Sequence, residues 1–159
     1  MCAAARDGSH VRIVPARPGD LPRLLEIRHA AFAAHAPAAY SPQEVATLLT
    51  DVDPAELRRM IDAGRLFTAR VGDDTVGLAG RAGTVLRHVY VDPGQARRGI
   101  GTALLRHVEA DARDRDGASV LSAGVALHAE SFYLANGYRL VVRATAWDGS
   151  AFLRMIKRL

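Results

Sequence analysis

One cysteine, Cys2, stands in 159 residues. No disulfide can close within the chain, and no cysteine-based metal site can form. Lysine is as scarce: Lys157 is the only one, and arginine carries the rest of the positive charge. We draw no function from that bias. No long basic run occurs and no basic segment is interleaved with aromatics, so nucleic acid is not an expected partner. Nothing approaches the about 18 apolar residues of a membrane span. The stretch Met1 to Ser9 lacks the apolar core of a secretory signal. No membrane partner is expected, and the cytoplasm is the expected location. The histidines form no H-x-x-x-H pair, so no metal is expected. There is no G-x-S-x-G elbow to make Ser122 or Ser131 a nucleophile.

What is present suits one globular domain. About half the residues are apolar and a quarter charged (49% and 24%), with a net charge of +4. That mild positive balance also fits a small polyanionic ligand. Residues 1–9 read as a flexible tail and 10–159 as a single domain. His10 to Ala16 alternates as a strand. Asp20 is the N-cap candidate for a helix carrying Leu21, Leu24, Leu25, Arg28 and Phe32 on one face. Ser41-Pro-Gln-Glu44 and Asp53-Pro-Ala-Glu56 start two more helices, the second closed by Gly64. Period two then takes over, with strands at Arg65 to Val71, Thr75 to Arg81 and Thr84 to Asp92. Gly99 to Arg115 is an amphipathic helix, its polar side paired as Glu109–Arg113 and Asp111–Arg115. A strand (Ala118 to Gly124), a short helix (His128 to Asn136) and two last strands (Tyr138 to Ala144, Ala151 to Lys157) complete the chain. The expected fold is α/β (α+β): a mixed central sheet of six to seven strands flanked by four to five helices.

The informative segment is V-Y-V-D-P-G-Q-A-R-R-G-I-G-T-A-L-L, Val89 to Leu105. A strand runs into a turn with two glycines and then directly into a helix. A helix start presents free N–H groups and the positive end of the dipole, and glycine lets those amides approach an anion closely. Arg97 and Arg98 add charge at the rim. Two other phosphate motifs fail: no Lys follows Gly101, and position 104, where a dinucleotide fingerprint needs glycine, is Leu104.

This segment resembles the acetyl-CoA-binding motif of the GNAT acyltransferase superfamily, Q/R-x-x-G-x-G/A. A second stretch, A-L-H-A-E-S-F-Y-L-A-N-G-Y (Ala126 to Tyr138), is similar to the family's other cofactor segment. The order of elements matches as well, so the likeness covers nearly the whole chain. Two departures stand out. Ala96 occupies the usual Gln/Arg position, with Gln95 displaced by one, and His128 occupies that of the usual Asn.

The resemblance implies an acetyl-CoA-dependent N-acetyltransferase of direct transfer, in which an amine attacks the thioester within a ternary complex. It implies a bulged strand that splays from its parallel neighbour, with the pantetheine arm along Val89, Tyr90 and Val91. The pyrophosphate then falls on the amides of Arg97, Arg98, Gly99, Ile100, Gly101 and Thr102, with His128, Ala129 and Phe132 completing the cofactor residues. Tyr133 matches the family's general acid, since a phenol near its ordinary pKa is protonated at neutral pH. Read from residues alone, Phe132 and Tyr133 fit burial better, as core aromatics on a short helix.

The strand lacks the carboxylate that the family often uses as a base. His88 is the candidate, its pKa suited to the task, although a half-buried strand histidine explains it too. His35, Tyr40 and Glu44 lie where the family forms its acceptor pocket, where capping and exposure also account for them. The acceptor is a small-molecule or protein amine. Dimers are common in the family, so a homodimer is the expectation. Two other readings stay open. One is a non-catalytic acyl-CoA-binding regulatory or sensor module. The other is nucleic-acid binding through a basic face built from Arg139, Arg143, Arg154, Lys157 and Arg158, which on paired strands equally edge a sheet or meet a partner subunit.

Overall fold

The computed structural model describes residues 10–159. The tail expected over residues 1–9, with Cys2, lies outside them. Strand β1 (Val11–Pro15) leads through a 3-10 turn (Pro18–Asp20) into α1 (Leu21–His35). Here the expectation fails in one detail. Asp20 stands at the N-cap of α1 but its side chain makes no cap bond: its backbone is already helical, at φ −77°, and its carboxylate accepts the Arg17 N–H at 2.8 Å. Pro18 begins the turn, since its fixed φ is prepared for a helical start.

Helices α2 (Pro42–Thr50) and α3 (Pro54–Asp62) follow. Ser41 Oγ accepts the Glu44 N–H at 3.2 Å while the Glu44 carboxylate accepts the Ser41 N–H at 3.0 Å. This reciprocal cap satisfies two otherwise orphaned donors. Asp53 accepts the Ala55 N–H at 2.9 Å and caps α3. Then come β2 (Leu66–Val71), β3 (Asp74–Ala82), β4 (Val85–Val91), α4 (Ile100–Asp116), β5 (Val120–Ala126), α5 (Glu130–Ala135), β6 (Arg139–Thr145) and β7 (Ala151–Arg158).

The strands form one seven-stranded sheet in the order β1-β2-β3-β4-β5-β7-β6. All neighbours are antiparallel except β4 and β5. That parallel pair is brief: only Val85↔Ser122 and Leu86↔Ala123 are in register. The cause lies in β4. Leu78 pairs with Tyr90 but Gly80 pairs with Arg87, so β4 carries one extra residue opposite β3. His88 there adopts φ +58°. A bulge of this kind bends its strand and ends regular pairing, and beyond Leu86 the two strands part.

Helix α4 covers one face of the sheet. Ile100, Leu104, Leu105, Val108 and Ala112 pack with Leu86, Leu121, Val125 and Met155, all essentially buried. Each large side chain buried this way is worth about 1.5–3 kcal/mol. On the other face, α1 and α3 seal β2 to β4 through Leu24, Ile27, Leu57 and Met60 against Leu66 and Leu78. Gly80 permits this approach: a Cβ there would stand 2.5 Å from Met60 Cε and 2.7 Å from the Arg65 carbonyl. The β5-β7-β6 half has no comparable cover on that second face. Val142 of the outermost strand, which stands on that face beside Arg154, is 48% exposed. No helix among the described residues is long and apolar enough to cross a membrane.

Three charged side chains lie inside, Arg28, Arg81 and Glu109. Arg81, 1% exposed, bonds Asp111 at 2.8 Å, Asp116 at 2.5 Å and the Gly83 carbonyl at 3.0 Å. Glu109 does not pair with Arg113 as its spacing suggests. It sits one turn beyond Leu105 on the buried stripe and accepts two bonds from Lys157 Nζ, at 2.8 and 3.0 Å, and one from the Tyr138 hydroxyl at 3.3 Å. Asp111–Arg115 does pair, at 3.3 Å. Lys157→Met would leave the Glu109 carboxylate buried without its cation. The expected loss is about 3 kcal/mol, read as a lower urea midpoint, and Glu109→Gln in the same chain should recover part of it.

Candidate active site

The turn after β4 is built from its own backbone. Asp92 Oδ1 accepts the Gly94 N–H at 3.0 Å and Oδ2 accepts from Arg23 at 2.7 Å. The Gly94 amide and then Arg23 hold this carboxyl below the usual range, against the opposing effect of burial. Arg97 and Gly99 both take left-handed conformations, φ +64° and +74°. Such a backbone turns successive N–H groups into a concave, anion-binding face. Helix geometry leaves the Ile100, Gly101 and Thr102 N–H groups without intrahelical partners, and the Ala103 N–H is bonded at 3.0 Å to the Gly99 carbonyl. Arg97 and Arg98 are exposed.

A phosphate-bearing ligand fits this turn. The amides at the start of α4 have no intrahelical partners, Arg97 and Arg98 stand exposed at the rim, and Arg97 and Gly99 are left-handed. A left-handed non-glycine residue costs about 1–3 kcal/mol and concentrates at functional sites. Gln95 stands beside Ala96, and its buried Oε1 has no hydrogen-bond partner among the described residues.

The two sequence motifs meet in space. A Cβ on Gly101 would lie 3.2 Å from the Phe132 ring and 3.7 Å from Val91 Cγ2. The start of α4, the end of β4 and helix α5 therefore converge at Gly101. Ile100 turns into the core, 1% exposed, and offers only its backbone to a ligand. Val89, Val91, Ala129 and Phe132 are half-buried against the same core.

Tyr133 is 8% exposed. Its ring meets Phe132 and Tyr138 edge-on, at 5.2 and 5.4 Å between centroids. Burial, with a smaller effect of Tyr90, raises its hydroxyl well above the ordinary phenol range. It stays protonated at any physiological pH.

His128 belongs to a different cluster. Its ring lies edge-on to Phe32 at 5.5 Å and to Tyr40 at 6.2 Å. Its buried Nδ1 has no hydrogen-bond partner among the described residues. Burial, then His35, lowers its pKa. Tyr40 is committed to structure: its hydroxyl donates to the Ala151 carbonyl at 2.6 Å and accepts the Leu127 N–H at 3.0 Å. Glu44 is committed to the α2 cap. A cavity of about 220 Å³ lies beside it, lined by residues of the α2 start and of the β6–β7 turn, Asp148 among them.

His88, at the bulge, turns toward α3. Its Nε2 is 3.6 Å from Glu56 Oε1 and is buried without a hydrogen bond among the described residues. Burial lowers its pKa. Glu56 opposes that shift, and Arg87 and Arg28 reinforce it. Glu56 reads from sequence only as a carboxylate in a helix start. Its partner is 32 positions away on another element, and no local pattern announces the pair. Arg28 hides in the same way. It is buried and donates to the Leu48 and Leu49 carbonyls, each at 2.8 Å, closing the end of α2.

Known proteins share this fold. A family model for the acetyltransferase (GNAT) domain matches residues 37–159. A curated relative, the uncharacterized N-acetyltransferase YafP of Escherichia coli strain K12, is 26% identical over 98 residues, 62% of this chain. The match spans 65% of that relative's length. A crystal structure of a GCN5-related N-acetyltransferase from Rhodopseudomonas palustris superposes with TM-score 0.86 at 25% identity, covering 95% of this chain and 97% of that one. The PaiA N-acetyltransferase of Thermoplasma acidophilum, solved in complex with coenzyme A, shares the fold at TM-score 0.75 and 17% identity, over 94% and 99% of the two chains.

Gly101→Ala would press a methyl against Phe132. Overpacking of this order costs about 1–3 kcal/mol of stability, read as a lower urea midpoint, and relief of the clash by displacement of the first turn of α4 should weaken coenzyme A binding, as measured by calorimetry.

Proposed function

The chain belongs to the GNAT acetyltransferase family, and on that premise we propose that it is an N-acetyltransferase that takes its acyl group from acetyl-CoA and passes it to a primary amine. The observation that carries this reading is the contact of Gly101 with Phe132. It sets a free-amide anion turn directly beside the helix that presents a buried, protonated tyrosine.

Acetyl-CoA would supply an acyl thioester. The chain's own residues divide the remaining work. The amides of Arg97 to Thr102 and the two exposed guanidiniums bind the phosphates. The backbone of Val89 to Val91, freed from β5 by the bulge, offers hydrogen bonds to an extended arm. Tyr133 gives its hydroxyl proton to the departing sulfur. His88, neutral because it is buried, takes a proton from the acceptor amine. Glu56 faces its Nε2 at 3.6 Å and raises its basicity against the effect of burial. Gln95 supplies polar contact where the family pattern has its residue at Ala96.

A non-catalytic acyl-CoA sensor is the competing reading, and Ala96 is the feature in its favour. Release of free coenzyme A in the presence of an amine separates the two. Tyr133→Phe keeps the packing and removes the proton. We expect kcat to fall about a hundredfold or more with acetyl-CoA binding unchanged; a fully active phenylalanine variant would remove Tyr133 from the mechanism.

The pH dependence has a defined sign. His88 titrates below the ordinary imidazole value of 6.5, so a base at this position stays active at neutral pH, and kcat/KM falls only as pH drops below about 6.5. The groups facing it are Glu56 from α3, Arg87 from its own strand and Arg28 from α1. Glu56 raises the His88 pKa, so Glu56→Gln should move the acidic limb to still lower pH and reduce kcat. An unshifted limb in that variant would exclude the pair. Linkage adds a stability effect. The histidine's pKa is depressed on folding, so its contribution is full above pH 6.5 and is lost as pH falls through the folded value.

A further inference from the structure

The half-sheet β5-β7-β6 is buried on one face only. Leu121, Ala123, Val125, Leu153 and Met155 point under α4 and are at most 4% exposed. The residues between them point the other way. Register fixes the rows on this second face: Val142, Arg154 and Gly124 stand side by side, as do Arg139, Ile156 and Ser122, and Val120 with Arg158. Directly paired residues share a face of a sheet. This face therefore carries three exposed arginines, Arg139, Arg154 and Arg158, and no Asp or Glu from any of its strands. None of the three forms an ion pair among the described residues. The other two members of the basic cluster seen in the sequence are elsewhere: Lys157 is turned inward onto Glu109, and Arg143 pairs with Leu153 on the opposite face.

The face adjoins the site. Val85 of β4 is opposite Ser122, and Gly80, which packs under Met60 of α3, is opposite Arg87. The open face is thus the one that α1 and α3 cover farther along the sheet, and His88 turns to that same side toward Glu56. The gap between β4 and β5 opens onto it. Gly124 borders the gap, with Arg154 as its immediate neighbour.

We infer that the acceptor amine is carried by an acidic polypeptide segment lying across this face, its carboxylates met by Arg139, Arg154 and Arg158. The inference rests on the acyltransferase reading and deepens it. Charge selects the occupant. A second copy would bring the same arginines against themselves, whereas an acidic segment is complementary. Chemistry selects polypeptide over nucleic acid. Between the arginines stand Val120, Val142 and Ile156, which suit apolar side chains. Single-stranded nucleic acid is held by stacking on exposed rings, and the one aromatic of this face, Phe152, is half-buried against Gly124.

The test uses three fluorescein-labelled peptides of equal length around one lysine, flanked by Asp/Glu, by Ser/Gly or by Arg. Binding is read by anisotropy at low and high salt, and turnover by coenzyme A release. The acidic peptide should bind at least about tenfold more tightly than the neutral one at low salt, and high salt should erase the difference. It should also have the highest kcat/KM. The triple variant R139E/R154E/R158E should bring the acidic-to-neutral ratio to one or below; retention of the acetyl-CoA thermal shift shows that the variant folds. Equal use of all three peptides would overturn the inference. So would tighter binding of a single-stranded oligonucleotide, or a wild-type dimer in sedimentation that the triple variant dissociates. Charge-selective binding with no turnover of any amine would refute the acyltransferase reading while leaving the surface assignment. Turnover without charge preference would do the reverse.

Discussion

One extra residue in β4 governs the arrangement of everything after it. The bulge at His88 and Val89 takes β4 out of step with β3 and bends it away from β5. The parallel pairing stops after two residue pairs. The gap exists because of that interruption, and so does the backbone left free to meet a ligand. The cost is a non-glycine residue at φ +58°, of order 1–3 kcal/mol, sustained by the packing around it. The C-terminal strands must then be tied to the rest by other means. Helix α4 does this from below, its apolar side touching residues of both halves. Tyr40 does it from above: one hydroxyl joins the end of β5 to the start of β7.

The buried charges serve the same end. Arg81 fixes the last turns of α4 to β3 through Asp111 and Asp116, and Glu109 fixes its middle to β7 through Lys157. Burying such groups is weak evidence for stability in itself. Its clearer effect is geometric. A helix pinned at two levels holds its first turn in one place, and that turn carries the amides we propose for the anion. The precision needed at Gly101, where a single methyl would crowd Phe132, is thus set some way down the helix.

Local chemistry was legible in the sequence. Ser41 and Asp53 announce their helices because a cap is a contact between near neighbours, and the order of elements follows from changes in apolar period. The two-glycine turn could be read as an anion site because strand, turn and helix are contiguous. Asp20 stands at its helix start as read, but its carboxylate serves the turn that Pro18 begins. Glu109 misled because a surface pairing rule was applied to a residue on the buried stripe. Arg81, the carbonyl partners of Arg28 and the Glu56–His88 pair were not legible. Each joins elements far apart in the chain, and a charged residue carries no mark of burial until its partner is known. The bulge came from resemblance alone, since nothing in R-H-V-Y by itself says that a strand will skip a beat.

Strand β6 also bears on solubility. Leu140, Val141 and Val142 are three consecutive apolar residues, each 44–50% exposed on the outermost strand, a ready template for edge-to-edge aggregation. Arg139 and Arg143 flank them, and the register shift between Leu140 and Val142 breaks the flat edge that another strand would need. The arginines act as gatekeepers. Neutralising them would make the chain sticky as well as uncharged, whereas reversing their sign keeps the edge guarded. A loss of solubility on alanine substitution along β6 would therefore report on the strand's exposed edge rather than on any ligand.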